Sequence, residues 1–358
     1  MHGQKLVEGL TLLLRFIDDD HPNLTASLCI RISDQALRII QAGFGQGDKP
    51  LVQIGGGREM HARGLVHQAD ESLIALTLVF RLSEDERVYH LVHDAAGESL
   101  SMAADPPDDR ASPVTGLPVP VRRRDDGVDL LKKRRFQGEG GKGFLFAHVA
   151  FSFQGQAFWA NLFEGVLHGD LRAAGDSSHV DFDFITLSPG FEVEFDDSME
   201  LGTVNMFRTM GSAGDSVKYV TIDHSGDFGD RMVAVWTLQL DHGHNWRWNQ
   251  DDQFSVRSIR ELEDFKKARL PENVLRCPVV LPDGALWFLL SNKRKTLNDS
   301  LDDHICILDV HSMSILWSGR LRGFHTSQPA VLPSSFIKSL DPLVPPESKK
   351  SISLFGRK

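Results

Sequence analysis

The chain has 358 residues, of which 41% are hydrophobic and 25% charged, and a formal net charge of −10. That length fits about two domains or one large all-β unit. The acidic balance argues against a nucleic-acid partner, because affinity for a phosphate backbone comes from clustered Lys and Arg.

The three cysteines, Cys29, Cys277 and Cys306, stand far apart with no C-x-x-C pair. This argues against a zinc ribbon or disulfide framework and for free thiols in a reducing compartment. The N-terminus lacks the basic, apolar and small-residue order of a signal peptide. The stretch "LTLLLRFI" (10–17) contains Arg15 and is too short to span a bilayer. The expected setting is cytoplasmic or nuclear, with no membrane partner, so the N-x-[ST] matches at Asn23 and Asn298 carry no glycan.

In "LTASLCIRISDQALRII" (24–40) apolar and polar residues partly alternate, which predicts one or two strands. The Gly-rich stretch 41–64 predicts loop. "SLIALTLVFRL" (72–82) predicts a strand, and "RVYHLVHDAAGESLSMAAD" (87–105) predicts strand, turn, strand with the turn at 94–97. From 105 to 143 the chain is punctuated by Pro and Gly and carries blocks of both charge signs. It reads as a flexible linker or insertion, with a short helical turn at "VDLLKKRRF" (128–136).

Strands dominate the rest. They are predicted in 143–171, 180–187, 216–223, 231–240 and 246–256, and again at 285–290, 304–310 and 315–321. Between the two groups, "SIRELEDFKKARL" (258–270) predicts a short helix, with Ile259, Leu262 and Phe265 on approximately one face. The division is thus an N-terminal β region (1–104), the linker (105–143), a C-terminal β domain (144–340) and a disordered tail (341–358).

A weak internal repeat runs through these strands. "ALWFLL…HICILDVHSMSILWSGRL" and "QAFWANLFEGVLHGDLRAAGDSSHVDFDFITL" share an order of strand, loop, strand ending near Asp, turn, strand. "KYVTIDHSGDFGDRMVAVWTL" is a looser copy and "YHLVHDAAGESLSMA" a partial one. Repeated antiparallel strands at this spacing predict a mainly β fold of β-propeller-like sheets, with a β-sandwich as the alternative. In "FWANLFEGVLHGDL" (158–171) the aromatics sit beside Glu164, His168 and Asp170. Sheet periodicity accounts for every one of these residues without catalysis. Trp159, Trp236 and Trp287 are expected to be buried in sheet.

Four blocks in order resemble a plant family, expanded in grasses, that carries the domain of unknown function 1618. They are "FWANLFEGVLHGDL", "VKYVTID", "VAVWTLQLDHGHNWRW" and "ALWFLLSNKRK…ICILDV". The resemblance covers roughly 144–322, with "YHLVHDAAGESLSMAADPP" similar to the family's N-terminal region. It departs from the family pattern at Asn161, where an aspartate is expected, and at the N-terminus. The resemblance implies no activity and no catalytic residues.

The residues themselves offer few chemical motifs. In "LDHGHNW" (240–246), His242 and His244 share a side of an extended strand, with Asp241 and His224 as further ligand candidates for a metal. Asp, Gly and Asn clusters also make hairpin turns, and the turn is the preferred reading. "FQGEGGKGF" (136–144) lacks the Ser or Thr and the following helix of a phosphate loop. "VRRR" (121–124) and "LLKKRRF" (130–136), interleaved with aspartates, read as solvated linker rather than a nuclear signal. "FEVEFDDSMEL" (191–201) reads as a half-exposed strand. No catalytic residue and no cofactor are assigned. The expected function is a non-enzymatic module that binds another protein. The alternative is a metal-binding protein or hydrolase-type enzyme using the loop at 242–244.

Overall fold

A computed structural model describes residues 2–16, 26–44, 60–70, 73–82, 85–94, 99–102, 119–122, 128–131, 136–137, 143–144, 147–170, 182–187, 204, 206–223, 229–240, 246–291 and 303–321. Four antiparallel sheets of four strands each follow chain order from one strand to the next. The first contains Met60–Asp70, Leu73–Leu82, Asp85–Asp94 and Ser99–Met102. The second contains Val149–Phe153, Gln156–Asn161, Gly165–Asp170 and Phe182–Thr186. The third contains Arg208–Ala213, Ser216–Ile222, Met232–Leu240 and Trp246–Ser255. The fourth contains Val274–Val280, Leu286–Ser291, Asp303–Asp309 and Ser314–Leu321.

These sheets are the blades of a four-bladed β-propeller. The first strand of each blade lies against the first strand of the blade that follows it in the chain. Four separate meanders replace the sandwich alternative, which needs two sheets face to face. The sequence repeat matches later strands of the blades. It includes the last three strands of the second and fourth blades, but the opening strand of none.

A blade inside a propeller is covered on both faces, so its strands read as apolar runs rather than clean alternation. Leu286–Ser291 is buried at every position. In the second blade, Phe158 and Trp159 are adjacent, point to opposite faces and are both fully buried. Phe158 packs with Phe151, Tyr219 and Leu238 in the seam toward the third blade. Trp159 packs on the other face with Ala147, Ala150, Ala157 and Leu167. The seam between the third and fourth blades is mostly aliphatic, with Val220, Ile222, Val233 and Val235 meeting Leu286, Phe288, Leu290 and Leu308.

Gly165 opens the third strand of the second blade where nothing larger fits. A Cβ there would stand 2.3 Å from the Ile185 carbonyl oxygen and 2.6 Å from Cζ of Phe184. Of the three expected core tryptophans, Trp159 and Trp287 are buried and Trp236 is half-buried against the seam between the second and third blades.

Four expectations need correction. Residues 34–40 are not strand: after the strand Ala26–Ile32, the chain forms a helix at Asp34–Phe44. Ala36 donates its N–H to Ser33 Oγ at 3.2 Å, and Ala36 and Ile40, four apart, are fully buried against the first blade. That helix also takes up the start of the expected loop at 41–64, and the strand Met60–Asp70 its end. The helical turn at 128–136 is instead a strand, Val128–Leu131, paired with Val119–Arg122. The helix at 258–270 is two short helices, Val256–Glu261 and Glu263–Lys267, broken where Leu262 turns extended at φ −59°, ψ 136°. Segments 191–201 and 341–358 lie outside the described residues.

Because Trp159 is fully enclosed, Trp159→Ala is expected to lower the unfolding free energy by about 3–5 kcal/mol. Urea denaturation of the variant beside the parent measures this.

Candidate functional site

The turn from Asn161 to Gly165 joins the second and third strands of the second blade and is buried against the third. Buried backbone polar groups need partners, and side chains from distant parts of the chain supply them. Asn161 Oδ1 accepts from the Phe163 N–H at 3.0 Å, and its Nδ2 donates to Glu164 Oε2 at 3.0 Å. His148 Nδ1 accepts from the Leu162 N–H at 3.1 Å. The Leu162 carbonyl accepts from Arg208 Nη1 at 2.9 Å and from the Tyr219 hydroxyl at 3.0 Å. The Arg208 guanidinium also lies over the Phe163 ring, 5.7 Å from its centroid.

This arrangement sets the protonation states. An imidazole that accepts at Nδ1 carries its proton at Nε2 and is neutral. Burial, reinforced by the Arg208 charge, pushes the His148 pKa down to about 4. Burial pushes the Tyr219 phenol up to about 12, although Arg208 pulls the other way. Neither group is poised to exchange a proton near neutral pH. The knot positions the blades, with Glu164 at its exposed edge.

The other reactive types are held similarly. Cys277 and Cys306 are free and buried, and burial pushes both thiols up to about 12, which keeps them from acting as thiolate nucleophiles. His168 is stacked on Phe158 at 5.6 Å and meets Trp246 edge-on at 5.7 Å. Its pKa is lowered mainly by burial, with Asp183 opposing. Glu164, His168 and Asp170 are therefore parts of sheet and turn, as the periodicity implies.

Two regions remain accessible. Along the seam between the second and third blades, Phe153, Trp246 and Trp248 are half-buried; Phe184, 39% exposed, pairs across from Leu167 and so lies on the opposite face of the second blade. Trp248 Nε1 donates to the Thr186 carbonyl at 2.9 Å, tying the outer strands of the two blades together. The second region is the turn before the strand Met232–Leu240. A Cβ built on Gly229 would lie 3.6 Å from Arg260 Nη1 and 3.9 Å from both Nε and Nη2 of Arg257. Arg257 pairs with Asp230 at 2.5 Å, both well exposed. Arg260 Nη2 donates to the Glu272 and Asn273 carbonyls at 3.3 and 3.0 Å. Spacing in the sequence signals neither region, because each is assembled across turns and blades.

The metal candidates His224, His242 and His244, and Asp241 with them, lie outside the described residues. Among the described residues, no three His, Cys, Asp or Glu side chains gather around a common point for a metal. Nor is any described helix long and apolar enough to cross a membrane.

Comparison with known families places a match on this part of the chain. The model of the family described as protein of unknown function, DUF1618, matches residues 159–286. The match begins at Trp159, in the second strand of the second blade, and ends at Leu286, where the second strand of the fourth blade starts. It covers two of the four resembling blocks in full, the first block from its second residue, and only the start of the fourth. No curated protein matches the chain.

The His148 knot has a pH consequence. The unfolded histidine takes up its proton near 6.5, whereas the folded one does so near 4. As pH falls through that window the unfolded state binds the proton first. Stability is then lost progressively and levels off below about 4, by roughly 3 kcal/mol in all. His93 and His168 shift in the same direction. Melting temperature measured from pH 7 to 4 is expected to fall less steeply in His148→Gln than in the parent.

Proposed function

We propose that this DUF1618 chain is a non-enzymatic module that binds another protein, working in the cytoplasm or nucleus. The observation that carries the reading is the aromatic seam of the second and third blades. Its inner rings are core, while Phe153, Trp246 and Trp248 keep part of their surface toward solvent on a rigid two-blade support. Partly exposed aromatic side chains on a fixed scaffold suit protein recognition, since they bury large area at low entropic cost. The state of the buried reactive groups supports the same reading. Two thiols near 12 and an imidazole near 4 hold the core and carry no chemistry at neutral pH.

The family resemblance makes plant tissue the source in which to look. Affinity purification with the parent chain and with Trp246→Ala is expected to yield a stoichiometric partner. Its purified complex should weaken by about tenfold in the variant, the scale of a moderate interface contact. An unchanged melting temperature of the variant separates loss of the partner from loss of the fold. One zinc per chain by elemental analysis, lost together with a hydrolytic activity in His242→Asn/His244→Asn, would replace this reading with the metal-enzyme alternative.

A further inference from the structure

We propose that the turn 229–231, with Arg257 and Arg260, docks a single phosphate monoester carried on a peptide of the partner protein. The proposal rests on the chain being a protein-binding module and names what one of its surfaces recognises.

The geometry starts at Gly229. Two guanidinium groups approach the same point above this residue, 3.6 and 3.9 Å from where a Cβ would stand. Asp230, paired with Arg257, offsets one of the two charges and leaves a net positive charge at this point. Arg260 is held in place by its Nη2 bonds to the Glu272 and Asn273 carbonyls, while its Nη1 is the atom nearest Gly229. Arg257 is 61% exposed, and its carboxylate partner Asp230 is 59% exposed and next to Gly229 in the chain. One residue further on, the Arg231 guanidinium lies over the Phe207 ring at 5.7 Å. Burial lowers its pKa most, the charge of Arg276 lowers it further, and Asp223 opposes both. Two arginines thus converge on Gly229, with Asp230 as the facing carboxylate and Arg231 in the turn itself.

The chemistry of the occupant follows from charge and shape. Guanidinium groups match phosphate oxygens through paired N–H donors, and two forks on one centre suit a compact dianion. A carboxylate brings one charge, and Asp230 already provides that to Arg257. An extended nucleic acid would face the whole −10 chain, whereas one phosphate on a peptide meets the two local arginines with Asp230 beside them. Phosphorylation of a partner is therefore what this surface can distinguish.

The test uses the full chain and two labelled peptides, Gly-Ala-Ser-Ala-Gly with and without phosphate on serine, read by fluorescence anisotropy at low salt. The phosphorylated peptide is expected to bind at least about tenfold more tightly than the plain one. Arg257→Gln should remove most of that difference with an unchanged melting temperature, because an exposed ion pair contributes little to folding. Asp230→Asn should tighten binding by freeing Arg257, an outcome that misfolding cannot imitate. Equal binding of the two peptides, or discrimination that survives in Arg257→Gln, would overturn the proposal. Inorganic phosphate binding as tightly as the phosphopeptide would overturn it as a peptide site. Failure of discrimination while the aromatic seam still holds its partner removes the phosphate site alone; failure of both removes the module reading as well.

Discussion

The structure depends on sheets that must be covered on both faces. Phe158 and Trp159 are neighbours on one strand, face opposite ways and are both fully buried. A four-stranded sheet with that pattern exposes a large apolar face if it stands alone, so each inner blade is a stable object only between its neighbours. The seam of the second and third blades is filled by stacked rings, with Phe151 and Phe158 5.2 Å apart and nearly parallel. The seam of the third and fourth is filled by branched aliphatics. Both seams exclude water from the turns that border them, and the polar arrangement follows from that exclusion.

The Leu162 turn illustrates this. Its amide and carbonyl are paired by His148, Arg208 and Tyr219, which come from two different blades. Each of those side chains gives up the behaviour that would make it useful in catalysis. The imidazole is fixed neutral, the phenol stays protonated, and the guanidinium serves a carbonyl. Groups with freedom to meet a partner are left at the borders: aromatic edges along one seam and arginines around the turn 229–231. This rigid centre with exposed margins is what the proposed recognition role rests on.

Much of the fold was legible because strand signals are local. Apolar runs such as "ALWFLL" and alternating ones such as "VDFDFITL" mark strands in the right places, and their repetition points to blades. The helix Asp34–Phe44 was missed because "QALRII" is as apolar as a strand. The decisive signals were the cap at Ser33 and the four-residue step from Ala36 to Ile40. Val128–Leu131 was misread for the opposite reason, since Leu-Leu-Lys-Lys favours helix locally and strand pairing overrode it. The site was far less legible. The partners of Leu162 lie 14, 46 and 57 residues away, and Arg257 and Arg260 meet Gly229 through a helix packed beside a turn. No periodicity encodes those meetings; they come from the way blades stack.

The central claim is that adjacent blades share one core. Hydrogen exchange followed by mass spectrometry on Phe158→Ala tests it directly. Phe158 belongs to the second blade but fills the seam with the third. If the seam is a common core, protection should fall together in the second-blade strands Gln156–Asn161 and Gly165–Asp170 and the third-blade strands Ser216–Ile222 and Met232–Leu240. Loss confined to the second blade, with the third as protected as in the parent, would contradict the account.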